Sequence, residues 1–501
     1  MGLKDLRKEI DKIDDNIFNL FQRRMELGRL IAIEKEEEDL PILNKSREEE
    51  ILNRMEGKSS KLKSYTRDLF TMLFSLSKDY QKSLTKDEIV GNISYGLLGK
   101  TLKHSFSKEI HSLFGDYPYQ LFERDFDQLE SLIKDVSIKG LNVTIPYKET
   151  VMKYCDEVTD RAKRIGCVNT LIKTGGRLIG ENTDYDGFSY LIDSLNLDVK
   201  RKFVVILGNG ATSRTASAVL SDRGAYFVKL SRREKPYFSD VKKFNFADIL
   251  VNTTPVGMYP DNGNSLVNLN DFKSLEAVID VVYNPLSTKL ISDAKKKNIP
   301  SSGGLAMLVV QAARSSELFT GIKISDEKIK KVINRLRMQS SNIVLVGMPG
   351  SGKTTIGREL SRLSGRELIS IDQEIEKEAG LTIPEIFKIY GEDYFRDLES
   401  KLTAEFGKKT GIIIATGGGV IKRMENYYPL AQNGRIYFVE RDLDSLEMEG
   451  RPLSTDRQRV KELWEERKDF YAYFSDVKVK NHDIEKAAEK IWEDFNENFN
   501  D

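Results

Sequence analysis

Apolar positions along the chain follow two rhythms. Leu6, Ile10, Ile13, Ile17, Leu20, Leu27 and Ile31 recur at alternating spacings of four and three, with one gap at position 24. That period predicts a long amphipathic helix carrying an apolar seam. Arg24 fills the gap, and Lys35 falls on nearly the same face. A charge on an apolar seam must be paired or must face a polar cavity, because burying it alone is costly. Pro41 breaks the run, Ser46 to Glu49 starts a second helix, and Tyr65 to Tyr80 makes a third. After a polar linker at Lys82 to Glu88 the rhythm changes. Short apolar runs such as Ile93 to Leu98, Leu141 to Ile145, Phe203 to Leu207 and Tyr226 to Leu230 alternate with helical stretches. Such alternation predicts α/β layers with buried strands. Asn342 to Val346 opens one more segment of the same kind.

Two of these strands run straight into glycine-rich turns. Phe203 to Leu207 leads to Gly208, Asn209, Gly210, Ala211, Thr212 and Ser213, a G-x-G-x-x-S variant of the dinucleotide fingerprint. Gly208 permits a tight turn, and Gly210 lets backbone approach a pyrophosphate at a helix N-terminus. The motif alone reads equally well as an ordinary strand-to-helix connection. Asn342 to Val346 leads to Gly347, Met348, Pro349, Gly350, Ser351, Gly352, Lys353, Thr354 and Thr355. This satisfies G-x-x-x-x-G-K-[ST] between a strand and a helix, so ATP is expected. Backbone amides would cradle phosphates, Lys353 would reach the β and γ oxygens, and Thr354 would contact Mg²⁺.

Composition narrows the partners. The 501 residues suggest roughly three domains. Lys plus Arg equals Asp plus Glu at 78 each, so neither nucleic acid nor an anionic membrane is expected to bind. Cys155 and Cys167 give no disulfide framework, and His104, His111 and His482 lack metal-site spacing. The first residues lack the apolar core of a signal peptide, and no apolar run approaches the ~18 residues of a membrane span. A cytoplasmic protein is expected. An all-helical module with inward-facing Arg and Lys suits a small dianion, since guanidinium grips carboxylate bidentately.

On Arg7, Arg24, Lys35, Arg47, Glu48, Ser77 and Gln81, residues 1 to about 84 resemble the all-helical chorismate mutase family. The resemblance implies that Arg7, Arg24 and Arg47 hold the carboxylates of chorismate, with Ser77 also at the substrate. Lys35 and Gln81 would address the ether oxygen, and Glu48 the ring hydroxyl. Asn44 stands where the family often has Asp. It also implies a homodimer through the helical domain, with Arg7 lent by the partner. The alternative is a helical domain that only regulates or dimerises.

Residues 88 to 338 resemble the shikimate dehydrogenase family, from Ser105 and Ser107 through Asn252 to Met258 and Asp280 to Pro285, ending at Gly304 to Leu308 and Gln311. The resemblance implies a substrate half at about 88–187 plus 303–338 and an NADP half at about 188–302. Lys148 and Asp184 would flank the 3-dehydroshikimate ketone, Lys148 stabilising or protonating the alkoxide. Ser105 and Ser107 would bind the carboxylate, and Thr144, Asn169, Tyr283 and Gln311 the rest, with Met258 beside the nicotinamide. Ser231 and Arg232 follow the second nucleotide strand, and Arg there suits the 2′-phosphate of NADP. The family usually has Asn where Ser231 stands. Quinate remains an open substrate.

Residues 341 to 501 resemble shikimate kinase, in Asp372, Gly391 to Arg396, Thr416 to Gly419, Arg451 to Leu453, and Glu466-Arg467. The resemblance implies that Arg396 and Arg467 bind the shikimate carboxylate and that Gly417, Gly418 and Gly419 bring backbone to the ring. Asp372 would orient or deprotonate the 3-hydroxyl, and Arg451 would act from a closing lid. Ser370 replaces the first Asp of the family's Asp-x-Asp, which implies weaker Mg²⁺ binding. Together the three resemblances imply a trifunctional enzyme of aromatic biosynthesis.

Overall fold

The computed structural model describes residues 2–37, 45–58, 61–83, 94–102, 105–135, 137–446 and 457–499. The chain forms two compact units: residues 1–163, 167–181 and 318–320 in one, and 164–166, 182–317 and 321–501 in the other.

In the first unit the heptad-like rhythm yields helix α1 (Leu3–Glu37), followed by α2 (Lys45–Glu56) and α3 (Lys63–Ser83). Among the described residues the α1 seam is left uncovered: Ile10, Ile13, Ile17 and Leu20 are all exposed, Ile17 at 59 %. The alternating segment then builds a six-stranded sheet from β1 (Ser94–Gly99), β2 (Tyr119–Glu123), β3 (Ile138–Val143), β4 (Glu157–Val158), β5 (Thr170–Thr174) and β6 (Arg177–Glu181). Their order is β2-β1-β3-β5-β6-β4, and β5 runs antiparallel to both of its neighbours. Leu98, Leu141, Val143, Tyr147 and Leu171 form its core.

The second unit holds two wholly parallel five-stranded sheets. The first contains β7 (Phe203–Leu207), β8 (Tyr226–Leu230), β9 (Ile249–Asn252), β10 (Ala277–Asp280) and β11 (Ser301–Ser302), in the order β11-β10-β9-β7-β8. The second contains β12 (Asn342–Val346), β13 (Leu368–Ser370), β14 (Ile413–Ala415), β15 (Gly434–Glu440) and β16 (Val477–Lys480), in the order β13-β14-β12-β15-β16. Strands buried on both faces are nearly all apolar, as in β12, where all five residues are buried and only Asn342 is polar, its amide donating to the Lys409 carbonyl at 2.7 Å. In each sheet the chain leaves the first strand to one side and later returns on the other. Ligands of open α/β sheets bind at the carboxyl end of that strand. Both glycine turns lie there. No helix among the described residues is long and apolar enough to cross a membrane.

Candidate active sites

The loop after β12 is shaped by left-handed glycines, with φ of 83° at Gly350 and 91° at Gly352. Helix 353–364 starts directly after it. Lys353 is buried, and its Nζ donates to the carbonyls of Gly347 (2.9 Å) and Met348 (3.0 Å). The hydroxyl of Ser351 is buried without a hydrogen-bond partner. An orphaned donor in a glycine-rich loop at a helix N-terminus fits a phosphate oxygen. Thr354 is half-buried and Thr355 exposed on the first turn of the helix.

Three distant stretches converge beside that loop on the turn Gly417 to Gly419. A Cβ at Gly417 would stand 2.4 Å from Glu399 Oε1 and 2.7 Å from Asp372 Oδ1. A Cβ at Gly419 would meet the Arg396 guanidinium at 2.3 Å. Only glycine lets the backbone sit against these groups. Arg396 donates to Glu399 Oε2 at 2.5 Å and to Glu392 Oε1 at 3.2 Å. Burial raises the pKa of the Glu399 carboxyl, against the pull of Arg396. Arg467, 2 % exposed, donates Nη1 to the Gly418 carbonyl at 3.1 Å, an oxygen that Tyr471 also caps at 2.6 Å. Its Nε and Nη2 are buried and unpartnered. Two free donors of one guanidinium match a carboxylate. Ser370 is buried at the N-cap of helix 371–379, without a side-chain capping bond. Arg451 lies outside the described residues.

The turn after β7 has Gly208 at φ 119°, where a Cβ would be 2.5 Å from Thr253 Oγ1. Ser213 is buried and donates to the Gly208 carbonyl at 2.8 Å, so the hydroxyl closes the turn from inside. Gly210 is the N-cap of helix 211–222, and a Cβ there would meet nothing within 4 Å. Asn209 is exposed, whereas Ala211 and Thr212 are half-buried. Ser231 is buried and donates to the carbonyl of Glu234 at 3.0 Å while accepting its amide at 2.9 Å. This knots the loop and leaves Arg232 and Arg233 exposed at the carboxyl end of β8. In the same unit Asp184 is buried on the first turn of helix 184–194, Tyr283 and Gln311 are half-buried, and Met258 is exposed.

The first unit carries the other dehydrogenase residues. Ser107 is buried at the start of helix 107–114, and its amide donates to Ser105 Oγ at 3.2 Å. Thr144 and Lys148 follow β3, both half-buried. The Lys148 carbonyl accepts from Val168 at 2.8 Å, and the carbonyl of buried Asn169 accepts from Val143 at 2.7 Å. Backbone bonds therefore place Lys148 and Asn169 side by side at the end of β3.

In the helical segment Arg24 is half-buried. It donates to the Leu73 carbonyl at 3.0 Å and lies 5.4 Å from the centroid of the Phe74 ring. Glu48 of α2 accepts from Lys78 of α3 at 2.8 Å, and exposed Arg47 pairs with Glu50 at 2.6 Å. Ser77 is half-buried on α3. Arg7 is exposed near the start of α1 and forms no ion pair among the described residues. Asn44 and the side chains of Lys35 and Gln81 lie outside them.

Glu399, Tyr471 and Lys78 were absent from the sequence-based site. The signal for Glu399 was present: it follows Arg396 by three positions, on the helix face that also buries Phe395 and Leu402.

Comparison with known proteins agrees in order. Chorismate mutase type II matches residues 6–82, the shikimate dehydrogenase substrate binding domain matches 97–171, and shikimate kinase matches 349–496. The shikimate dehydrogenase (NADP(+)) of Clostridium beijerinckii is 36 % identical over 253 residues, covering 46 % of this chain and 94 % of its own. That of Methanococcus maripaludis is 36 % identical over 269 residues, 48 % of this chain and 95 % of its own. A solved chorismate mutase/shikimate 5-dehydrogenase fusion protein from Clostridium acetobutylicum shares 32 % identity over 49 % of this chain and 97 % of its own, with a TM-score of 0.47. The chain belongs to the shikimate dehydrogenase family and carries that enzyme between a chorismate mutase domain and a shikimate kinase domain.

Proposed function

We propose that the three modules, at about 1–84, 88–338 and 341–501, each turn over their own substrate. Chorismate is rearranged to prephenate, 3-dehydroshikimate is reduced to shikimate with NADPH, and shikimate is phosphorylated on its 3-hydroxyl by ATP. The observation that carries the reading is the convergence of Asp372, Arg396, Glu399 and Arg467 on a side-chain-free turn beside the P-loop. Arg467 and Arg396 hold the carboxylate, and Asp372 takes the hydroxyl proton as the oxygen bonds to the γ-phosphorus and the bond to ADP breaks.

In the dehydrogenase the closed Gly208 turn and the exposed Arg232 fit a dinucleotide with a 2′-phosphate. NADPH supplies the hydride when bound. Ser105 and Ser107 bind the carboxylate, Lys148 donates a proton to the developing alkoxide, and Asp184 orients the hydroxyl. In the mutase no nucleophile is required; Arg24, Arg47 and Glu48 hold the reactive conformer, and the family resemblance assigns the ether oxygen to Lys35 and Gln81. The exposed α1 seam and an Arg7 without an ion pair among the described residues support a homodimer whose sites exchange Arg7.

An assay panel on the full chain tests the whole reading: dehydroshikimate with NADPH or NADH, shikimate with ATP, and chorismate. Absence of chorismate turnover, in a chain whose other two activities are intact, would assign the helical domain to regulation or dimerisation. Arg24→Ala should abolish mutase turnover alone. Thr354 would hold Mg²⁺, and with Ser370 in place of a carboxylate the ion would have one carboxylate fewer. Ser370→Asp should therefore lower the Mg²⁺ concentration for half-maximal kinase activity; an unchanged requirement counts against that role.

A further inference from the structure

A cavity of about 380 Å³ lies within the second unit, and none of the residues assigned above to nucleotide or substrate lines it. Its wall comes from helix 289–296, β11, helix 326–340 and the segment leading into β15, with Asp476 at the foot of β16. Its volume falls in the range of small-molecule sites, roughly 300–1,000 Å³.

Its charge is unusual. Lys295 and Arg337 both line it, and neither side chain makes a hydrogen bond or ion pair among the described residues. Both are exposed to the water of the cavity, and the protein packed around them lowers the pKa of each. Lys295 feels the attraction of Asp476 and the repulsion of Arg337. Arg435, at the cavity edge, is already neutralised by Asp494 at 2.8 Å. Among the described residues that line the cavity, Asp476 is the carboxylate left facing Lys295 and Arg337; Lys296 also feels it, and it accepts the Ile436 amide at 2.8 Å. Two like charges facing one cleft repel each other, and an anion between them turns that repulsion into attraction. Ser301 and Ser302 add hydroxyls to the same wall.

We propose that this cavity is a second-site receptor for a small hydroxylated oxyanion, a carboxylate or phosphate ester, gripped by Lys295 and Arg337. The guanidinium takes the oxyanion in a fork, the ammonium adds a point charge, and the serine hydroxyls bond to the ligand's own hydroxyls. The ligand bridges the Rossmann sheet's helix 289–296 and the kinase strand β16. Occupancy therefore stabilises the second unit by linkage.

The experiment is calorimetric titration of the full chain carrying Arg24→Ala in the mutase site, with the dehydrogenase and kinase sites filled by NADP⁺, shikimate and ADP with Mg²⁺. The probes are glycerol 3-phosphate, gluconate, inorganic phosphate and, as the neutral control, glycerol. One equivalent of a hydroxylated anion should bind, with glycerol silent. Lys295→Gln combined with Arg337→Gln should weaken that binding at least about tenfold, whereas exposed Lys297→Gln should not. Each single variant reads the same site if the double variant fails to retain NADP⁺ and ADP binding. Preference for glycerol 3-phosphate over gluconate, or the reverse, assigns the head group. Absence of binding by every anion, equal binding of glycerol, or unchanged affinity in the charge variants overturns the proposal.

Discussion

Arg467 is almost completely buried, yet only one of its nitrogens finds a protein acceptor. A hydrogen bond to a charged group is worth about 1.5–3 kcal/mol, and a lysine cannot reproduce the planar fork. Arg467→Lys should lower kcat/KM for shikimate by about ten- to hundredfold, with the KM for ATP little changed; steady-state kinetics in each substrate separates the two. Asp280 illustrates a different balance. It is fully buried and accepts from Asn252 (2.9 Å), Val282 (3.0 Å) and Thr288 (2.6 Å), yet burial still raises its pKa from 3.8 to about 6. The folded state thus holds this proton more tightly than the unfolded chain. Its contribution is complete below the unfolded value and is lost as pH rises through the folded one, on the order of 2–3 kcal/mol in all. Between about pH 4 and pH 6, Asp280→Asn should flatten the fall of Tm with rising pH. A variant with the same slope as the parent would remove Asp280 from the account.

Helix α1 is amphipathic along its 35 residues, yet its apolar seam faces outward within the chain. Burying an Ile side chain contributes about 1.5–3 kcal/mol, so a seam with several of them has a strong drive to associate. Ile13→Glu should halve the mass seen by light scattering, remove mutase turnover and leave kinase activity intact. A variant that stays dimeric and active would show that the seam is not the interface. Helix 383–406 shows how an element is shaped by one residue. Gly391 breaks it at φ 85°, and the bend precedes the turn that carries Arg396 and Glu399 inward. The glycine was visible in the chain; that it interrupts rather than ends the helix depends on packing of Ile386, Phe395 and Leu402 into one core.

Within the second unit the Rossmann and kinase sheets share a polar seam. Asn433 is buried, donates to the Tyr259 hydroxyl at 2.8 Å and accepts from the Leu286 amide at 3.0 Å. The Tyr428 hydroxyl donates to the Asn262 carbonyl at 2.6 Å, and Lys296 lies over the rings of Tyr427 and Tyr473, at 4.2 Å and 4.1 Å. Leaving a buried amide unpaired costs about 1–3 kcal/mol. Asn433→Ala should lower and broaden the unfolding transition of this unit in calorimetry, and it should split the Rossmann and kinase parts. An unaltered single transition would mean that the seam does not couple them.

The strand-turn-helix segments at 203–222 and 342–364 were readable in the linear chain because their cause is local. A few apolar residues, a glycine able to take positive φ and a helix start set the conformation within some fifteen positions. The helical rhythm of α1 was readable for the same reason. Convergence was not. Asp372, Glu399, Gly417 and Arg467 are far apart in sequence, and the three-residue spacing from Arg396 that marks Glu399 does not by itself announce a fully buried carboxyl with a raised pKa. Burial, desolvation and the pairing of charges arise from segments brought together by packing. The same holds for Lys295 and Arg337, two ordinary surface-type residues in the sequence that the fold places around one cavity.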